Sequence, residues 1–389
     1  MSVYLDYAAT SPLRDEVLSV FTEHLKVIGN PSSVHSSGQA VRRSLEEARE
    51  VIAAAVGAHR SEIIFTSGGT ESNNLAIKGL FWQRKKESVD RNIVISAGTE
   101  HHAVIDPIDW LVKHEGAEAK WLEVSTEGEI NIAALEDFVE QNHDRISFIS
   151  VMWANNEIGV INDIAAITKI ASRYQIPVHS DAVAAFGHTQ VNFANSGLAT
   201  LSISAHKVGG PVGIGALVVA RSAKLEAIAH GGGQERGIRS GTLNAAGAQA
   251  FALAAKLAAA EISAEEARLG ALRDDLVARV LQIDPSAKLT GSGLPRLANN
   301  AHFVFRGCSG DSLLFLLDQA GVCVSVGSAC QAGINSASHV LLAMGRDEID
   351  AWGCLRMTFG HESTQADVEA FIAALPAAID GARKAGLAN

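Results

Sequence analysis

Short runs of strand-forming apolar residues alternate along this chain with longer stretches whose apolar positions recur every three or four residues. The runs Glu62–Thr66, Asn92–Ser96, Ile146–Trp153 and Ile176–Ser180 read as strands, and each gives way to polar residues. Ser37–Val56 has helical spacing, with Gly57 as its stop. This alternation predicts a largely parallel sheet with crossover helices and a ligand site beyond the carboxyl ends of the strands. His101, Asn155 and Asp181 follow three of those ends. Singly they read as a core histidine, a turn former and a helix cap; their common placement makes them candidates.

Leu201–Ala220 reads as strand, turn, strand, with Lys207 at the turn, followed by Gly and Pro. A lysine beside a hydroxyl and an imidazole can present its amine to a carbonyl compound, because burial lowers its pKa toward nucleophilicity. An ordinary solvated turn lysine is the alternative. Upstream, Ser67–Asn74 links the strand Glu62–Thr66 to a helical stretch beginning at Leu75. Strand, Gly-rich turn and helix form an anion-binding layout, since helix N-terminal amides point at the ligand. The GxxxxGK[ST] pattern of a nucleotide loop is missing, and a plain capped helix start fits the stretch equally well.

The first thirty residues show few long periodic elements and, with the turn formers Gly29–Ser33, predict a loop. From Gly247 to Arg279 an Ala, Leu and Glu-rich helical region connects two lobes, one spanning 16–257 and a smaller one combining 1–15 with 258–389. In the smaller lobe, strands Asn299–Phe305 and Val322–Val326 flank the helix Asp311–Asp318. Small residues from Gly327 to Ser338 predict a mobile loop carrying Cys330.

Composition narrows this picture. With 389 residues, 47% hydrophobic and 19% charged, the chain has the balance of a globular protein with a large core. Its net charge of −11 argues against direct nucleic-acid or anionic-membrane partners, which need concentrated basic surface. No signal peptide and no membrane-spanning apolar run is expected. Cys308, Cys323, Cys330 and Cys354 have no CxxC spacing, which suits free thiols in a cytoplasmic protein.

A Schiff-base lysine, a carboxylate, a histidine, a phosphate cup and a separate thiol together suggest pyridoxal 5′-phosphate. Asp181 would pair with the pyridine nitrogen, and the turn Gly68–Thr70 would receive the phosphate. The chain resembles the cysteine desulfurases, within the class V aminotransferase group of fold type I PLP enzymes. The resemblance rests on Tyr4–Thr10, Asn30–Ser33, Gly69–Asn74, Thr99–His101, Asn155–Gly159, Ser204–Lys207, Gly231–Thr242 and Ser328–Cys330.

What the resemblance implies is an α/β fold type I transferase, with a large mostly parallel-sheet domain and a smaller α+β C-terminal domain. It implies that Lys207 binds the cofactor and moves the substrate α-proton, that His101 stacks on the ring and assists, and that Asp181 pairs with the ring nitrogen. Gly69, Thr70, Ser204 and His206 would hold the phosphate, with Thr242 reaching it from the second subunit of a homodimer. Asn155 and Arg356 would hold the carboxylate of L-cysteine. Cys330 would take the sulfur as a persulfide for an acceptor protein, such as an iron–sulfur scaffold or a tRNA thiolation enzyme.

Cys323 and Cys354 sit among apolar residues and are expected to be buried. Cys308 rivals Cys330, because the helix after it could lower its pKa. Ala184 departs from the family pattern, which places Gln there to bond the cofactor's phenolic oxygen. Altered cofactor absorbance and slower turnover are expected from that loss. Selenocysteine lyase, an aminotransferase, and a weakly active platform for binding sulfur acceptors are the competing readings.

Overall fold

A computed structural model describes residues 2–327 and 337–386. Its strands are β1 (Val3–Tyr4), β2 (Ile63–Thr66), β3 (Ile93–Ala97), β4 (Glu118–Leu122), β5 (Ile146–Ser150), β6 (Val178–Asp181), β7 (Thr200–Ser204), β8 (Gly215–Val219), β9 (Lys288–Leu289), β10 (Asn300–Val304), β11 (Val322–Cys323) and β12 (Cys354–Thr358). Its helices are α1 (Asp15–Leu25), α2 (Ser36–Ala55), α3 (Gly69–Glu87), α4 (His102–Glu115), α5 (Ile132–Asn142), α6 (Ile164–Ser172), α7 (Phe193–Ser196), α8 (Ala245–Ile283), α9 (Gly310–Gln319), α10 (His339–Ala343), α11 (Glu348–Trp352) and α12 (Gln365–Gly386).

Seven strands form the central sheet in the order β2-β8-β7-β6-β5-β3-β4. The pairs from β7 through β4 are parallel, and β8 runs antiparallel to both of its neighbours. Strands β2, β3, β5, β6, β7 and β8 are buried at every position. That is why they read as continuous apolar runs: helices cover both faces of a parallel sheet.

A second apolar cluster gathers Leu5, residues of α8 from Leu269 to Val280, and much of α9, β10, β12 and α12. Around it lie the antiparallel sheet β12-β10-β9 and the parallel pair β1 and β11. Helix α8 serves both cores, giving Ala248–Ala258 to the first and Leu269–Val280 to the second. No spanning run was expected, yet α8 is long and apolar enough by composition to cross a membrane; half of its most apolar window is buried in this fold.

Three expectations change. The first thirty residues contain α1, whose Val17 packs into the main core, with Asp15 and Glu16 in its first turn and His24 in its last. Its apolar stripe is thin, because Val17 alone is fully buried, and so the periodicity is weak. Helix α3 begins at Gly69 rather than Leu75, because its first polar residues are accommodated: Ser72 shares a hydrogen bond with Thr66, and Asn73 reaches Asp181. Only Val322–Cys323 of the run Val322–Val326 pairs with β1, after which Ser325 crosses to bridge Arg356.

Candidate active site

The carboxyl ends of β3, β5, β6 and β7 and the N-terminus of α3 surround one cavity of about 350 Å³. Lys207, His101, Gly69, Thr70, Asp181, His206 and Arg356 line it, so seven sequence candidates converge. Asn155, Ser204 and Thr242 do not line it, and Cys330 with its small-residue loop lies outside the described residues.

Lys207 ends a single 3-10 turn that follows β7 directly. Its Nζ donates to the carbonyls of Ala8 (2.6 Å) and Ala9 (2.9 Å), which ties the sheet end to the N-terminal segment. Its own carbonyl accepts from Ser11 Oγ at 2.9 Å. On the neighbouring strand, Asp181 Oδ2 accepts from Asn73 Nδ2 (2.6 Å) and Oδ1 from the Val183 amide (2.8 Å). Asn73 Oδ1 meets His179 Nε2 at 3.1 Å, and His179 Nδ1 meets Thr200 Oγ1 at 2.9 Å. Burial pushes His179 down to about 3, so it stays neutral; Nε2 then donates to Asn73, and Nδ1 accepts from the threonine hydroxyl. A chain of fully occupied partners thus orients the Asp181 carboxylate.

His101 caps α4, its Nδ1 accepting from the Ala103 amide at 3.0 Å. Burial holds it below the usual histidine range, and the Lys207 charge adds to that against the opposing pull of Asp181. The neutral ring therefore carries its proton on Nε2. Beneath it, Glu100 is completely buried and its carboxyl is raised well above the usual range by that burial. His206 is pushed down to about 4, first by burial and then by Lys207.

The residues fit a phosphate-bearing pyridine aldehyde. Gly68, at φ 151° and ψ −172°, opens α3 in a conformation open essentially to glycine alone, and the first-turn amides behind it have no partner within the helix. A Cβ on Gly215 would stand 2.7 Å from Gly68 Cα, so glycine there lets the β7–β8 hairpin press against this helix start. Ser204 Oγ lies beside Gly68, fully buried and without a partner among the described residues. A buried orphan hydroxyl at a helix N-terminus suits a phosphate oxygen. The carboxylate of Asp181 and the amine of Lys207 line the same cavity.

Asn155 is a correction. Its Nδ2 donates to the Thr99 carbonyl (2.8 Å) and to Met152 Sδ (3.4 Å), and its Oδ1 accepts from the amides of Glu157 (2.9 Å) and Ile158 (3.0 Å), which leaves it nothing to offer a cofactor or substrate. It folds the turn that presents Asn156, which does line the cavity and whose Oδ1 is buried without a partner among the described residues. Two adjacent asparagines in one motif give no hint in sequence of which one faces inward.

Arg356 is 2% exposed; its Nη1 donates to the Asn156 carbonyl at 2.9 Å and its Nη2 to Asp6 Oδ1 at 2.8 Å. Asn73, Asn156 and Asp6 were missed, although Asn73 falls three residues after Thr70 on the same helical face. Thr242 is exposed.

The remaining cysteines also revise expectation. Cys308 turns into the second core, its Sγ facing the Ile379 carbonyl, and burial raises its pKa rather than α9 lowering it. Cys354 is buried as expected and pushed up to about 12, whereas Cys323 is only half-buried.

Residues 3–371 match the family model of class-V aminotransferases, and the chain belongs to that family. Within it, the chain is a PLP-dependent cysteine desulfurase. It is 48% identical to an IscS-like cysteine desulfurase of Mycobacterium tuberculosis, over 99% of this chain and 98% of that protein. With cysteine desulfurase IscS of Dictyoglomus turgidum it shares 44% identity, over 94% and 91% of the two chains. Among solved structures, a NifS-like protein from Rickettsia africae superposes with a TM-score of 0.87 at 32% identity, covering 98% of this chain and all of that one. SspA, solved in complex with cysteine, gives 0.78 at 30%, covering 92% and 99%.

Proposed function

We propose that this enzyme takes sulfur from L-cysteine onto Cys330, releases L-alanine, and passes the sulfur to a protein acceptor. The observation that carries this reading is the convergence of an amine, a carboxylate, a neutral imidazole and a buried arginine on one cavity beside a helix N-terminus. Bound there, PLP supplies an electron sink. Asp181, held by Asn73 and the Val183 amide, would pair with the ring nitrogen. The α3 amides, Ser204 and His206 would hold the phosphate. Arg356 and Asn156 orient the substrate carboxylate, the guanidinium by its planar fork. Lys207 Nζ would remove the substrate α-proton before the sulfur leaves and return a proton to that carbon only afterwards, with His101 Nε2 assisting.

The Cys330 thiolate then attacks the substrate Sγ. The carbon–sulfur bond breaks, its electron pair returns to the substrate carbon, which is protonated, and Cys330 keeps the outer sulfur as a persulfide.

Lobes of 16–257 and of 1–15 with 258–389 belong to this reading, supported by the two apolar clusters. So does a homodimer in which Thr242 serves the partner's phosphate site, as its exposure away from its own cavity suits. An iron–sulfur scaffold or tRNA thiolation enzyme as acceptor, and a cytoplasmic location, complete it. The free thiols of Cys308, Cys323 and Cys354 are in keeping with a reducing compartment.

The test compares alanine and persulfide formation from L-cysteine by wild type, Lys207→Ala and Cys330→Ala. Lys207→Ala should lose at least about 10³-fold in alanine formation. Cys330→Ala should keep the cofactor and form no transferable persulfide. Full turnover by Cys330→Ala, or turnover confined to selenocysteine, overturns the reading.

A further inference from the structure

Two successive residues of one turn face different parts of the machinery. Asn156 looks into the cavity, and Glu157, 1% exposed, looks the other way. Glu157 Oε2 accepts from Ser338 Oγ at 2.6 Å. The same oxygen lies against Gly327, where a Cβ would overlap it, so any side chain there would displace the carboxylate. A Cβ on Gly327 would also come within 3.2 Å of Ser338 Oγ. The chain therefore leaves at Gly327 and returns at Ser338 against a single carboxylate, and Cys330 lies in the interval.

Neighbouring contacts fix this carboxylate in turn. Asn155 Oδ1 holds the Glu157 amide, and Asn300 Nδ2 donates to the Glu157 carbonyl at 3.0 Å. His339, next to Ser338, places Nδ1 3.9 Å from Glu157 Oε1 and bonds the Glu100 carbonyl through Nε2 at 2.8 Å. On the other stem, Ser325 and Arg356 exchange backbone hydrogen bonds of 3.1 and 2.7 Å. Arg356 also holds the Asn156 carbonyl, one residue before Glu157. Cavity arginine and both stems are thus joined through one four-residue turn.

We infer that Glu157 is a positioning residue for the sulfur-transfer half of the reaction, fixing both stems of the Cys330 segment relative to the bound substrate. This rests on the assignment of Cys330 as the sulfur carrier proposed above. Glu157 touches neither cofactor nor substrate; it acts by setting where the thiol can reach. Fixing the residues on either side of a segment raises the local concentration of a group carried within it, and a displacement of about 1 Å costs on the order of 10²-fold in a well-oriented reaction. A carboxylate suits the place because it accepts from the Ser338 hydroxyl while lying in contact with a bare glycine backbone.

The experiment uses the full-length holoenzyme as wild type, Glu157→Ala, Glu157→Gln and Ser338→Ala. Three quantities are measured: cofactor content by absorbance, exchange of the α-proton of L-alanine with D₂O by NMR, and single-turnover persulfide on Cys330 by mass spectrometry. Alanine exchange reports Lys207 and His101 without needing the thiol. Glu157→Ala should retain cofactor and exchange within about two-fold while persulfide formation falls by at least about ten-fold. Glu157→Gln, which still accepts from Ser338, should recover a substantial part. Ser338→Ala deletes one hydroxyl and should show the same split at roughly three-fold, a result that stands if Glu157→Ala fails to fold. Persulfide at the wild-type rate in Glu157→Ala, a parallel fall of exchange and persulfide, or no split in Ser338→Ala overturns the inference. Absence of persulfide on Cys330 in wild type would instead sink the sulfur-carrier assignment.

Discussion

The two walls of the cavity are built differently. The sheet-side wall consists of Asp181, Lys207 and the α3 start, supplied by adjacent strand ends and tied by a buried chain through Asn73, His179 and Thr200. The opposite wall is assembled from remote pieces: Arg356 on β12, Asp6 in the N-terminal segment, 350 positions away, and Asn156 in a turn after β5. The first inherits its backbone geometry from one sheet, although the Lys207 amine also reaches the Ala8 and Ala9 carbonyls of the N-terminal segment. The second exists only while the N-terminal segment and β12 sit together, so substrate capture depends on how those parts are seated.

That contrast is tested most severely at Arg356. Replacing it by alanine removes the fork and leaves Asp6 beside a buried void; breaking such a pair costs about 3–5 kcal/mol. If the remote wall serves substrate capture, Arg356→Ala should lower kcat/KM for L-cysteine by at least about 10²-fold. Most of the loss should appear in KM, with cofactor content unchanged. Arg356→Lys should restore little, because an ammonium cannot bond the Asn156 carbonyl, Asp6 and a substrate carboxylate in one plane. Loss of cofactor in step with activity would show that the walls are not separable in this way.

A finer contrast lies within one motif. Asn155→Ala strips the partners from two buried amides and a carbonyl, and should cost about 1–3 kcal/mol of folding stability. Asn156→Ala removes an amide whose oxygen has no partner among the described residues, and should leave stability nearly unchanged while raising KM. Urea denaturation set beside steady-state kinetics separates the two. Equal stability losses would break the division of labour.

The sheet-side wall was legible in sequence because each element carries its own signal. Buried parallel strands are apolar runs, and polar residues that follow their carboxyl ends fall near the ligand side, so His101, Asp181 and Lys207, each unremarkable alone, became candidates when taken together. Three-dimensional partnership was not legible. Nothing local marks Asp6 as the counter-charge of Arg356, and helix α1 hid because only Val17 on it is fully buried. Asn155 and Asn156 differ only in which side of a turn they occupy, a matter of backbone dihedrals and not of composition. The stems at Gly327 and Ser338 meet at Glu157, which lies 170 positions before the first of them in the chain.

The smallest effect belongs to Ala184, on the sheet-side wall. It lines both the main cavity and a small chamber of about 20 Å³ shared with His188 and Asn299, and its methyl can donate no hydrogen bond. A glutamine there could extend into the main cavity and donate to the cofactor's phenolic oxygen, a bond worth about 1 kcal/mol net. Favouring the phenolate by that amount should shift the pH titration of the cofactor's visible absorbance by about 0.7 unit toward lower pH. Turnover should rise by about five-fold or less. Stability and the KM for L-cysteine should stay near wild type, because the change falls on the wall that does not hold the substrate carboxylate. Titrating Ala184→Gln beside wild type measures all of this in one preparation. An unmoved titration with an unmoved rate would mean that the lost amide is replaced by another donor in this cavity.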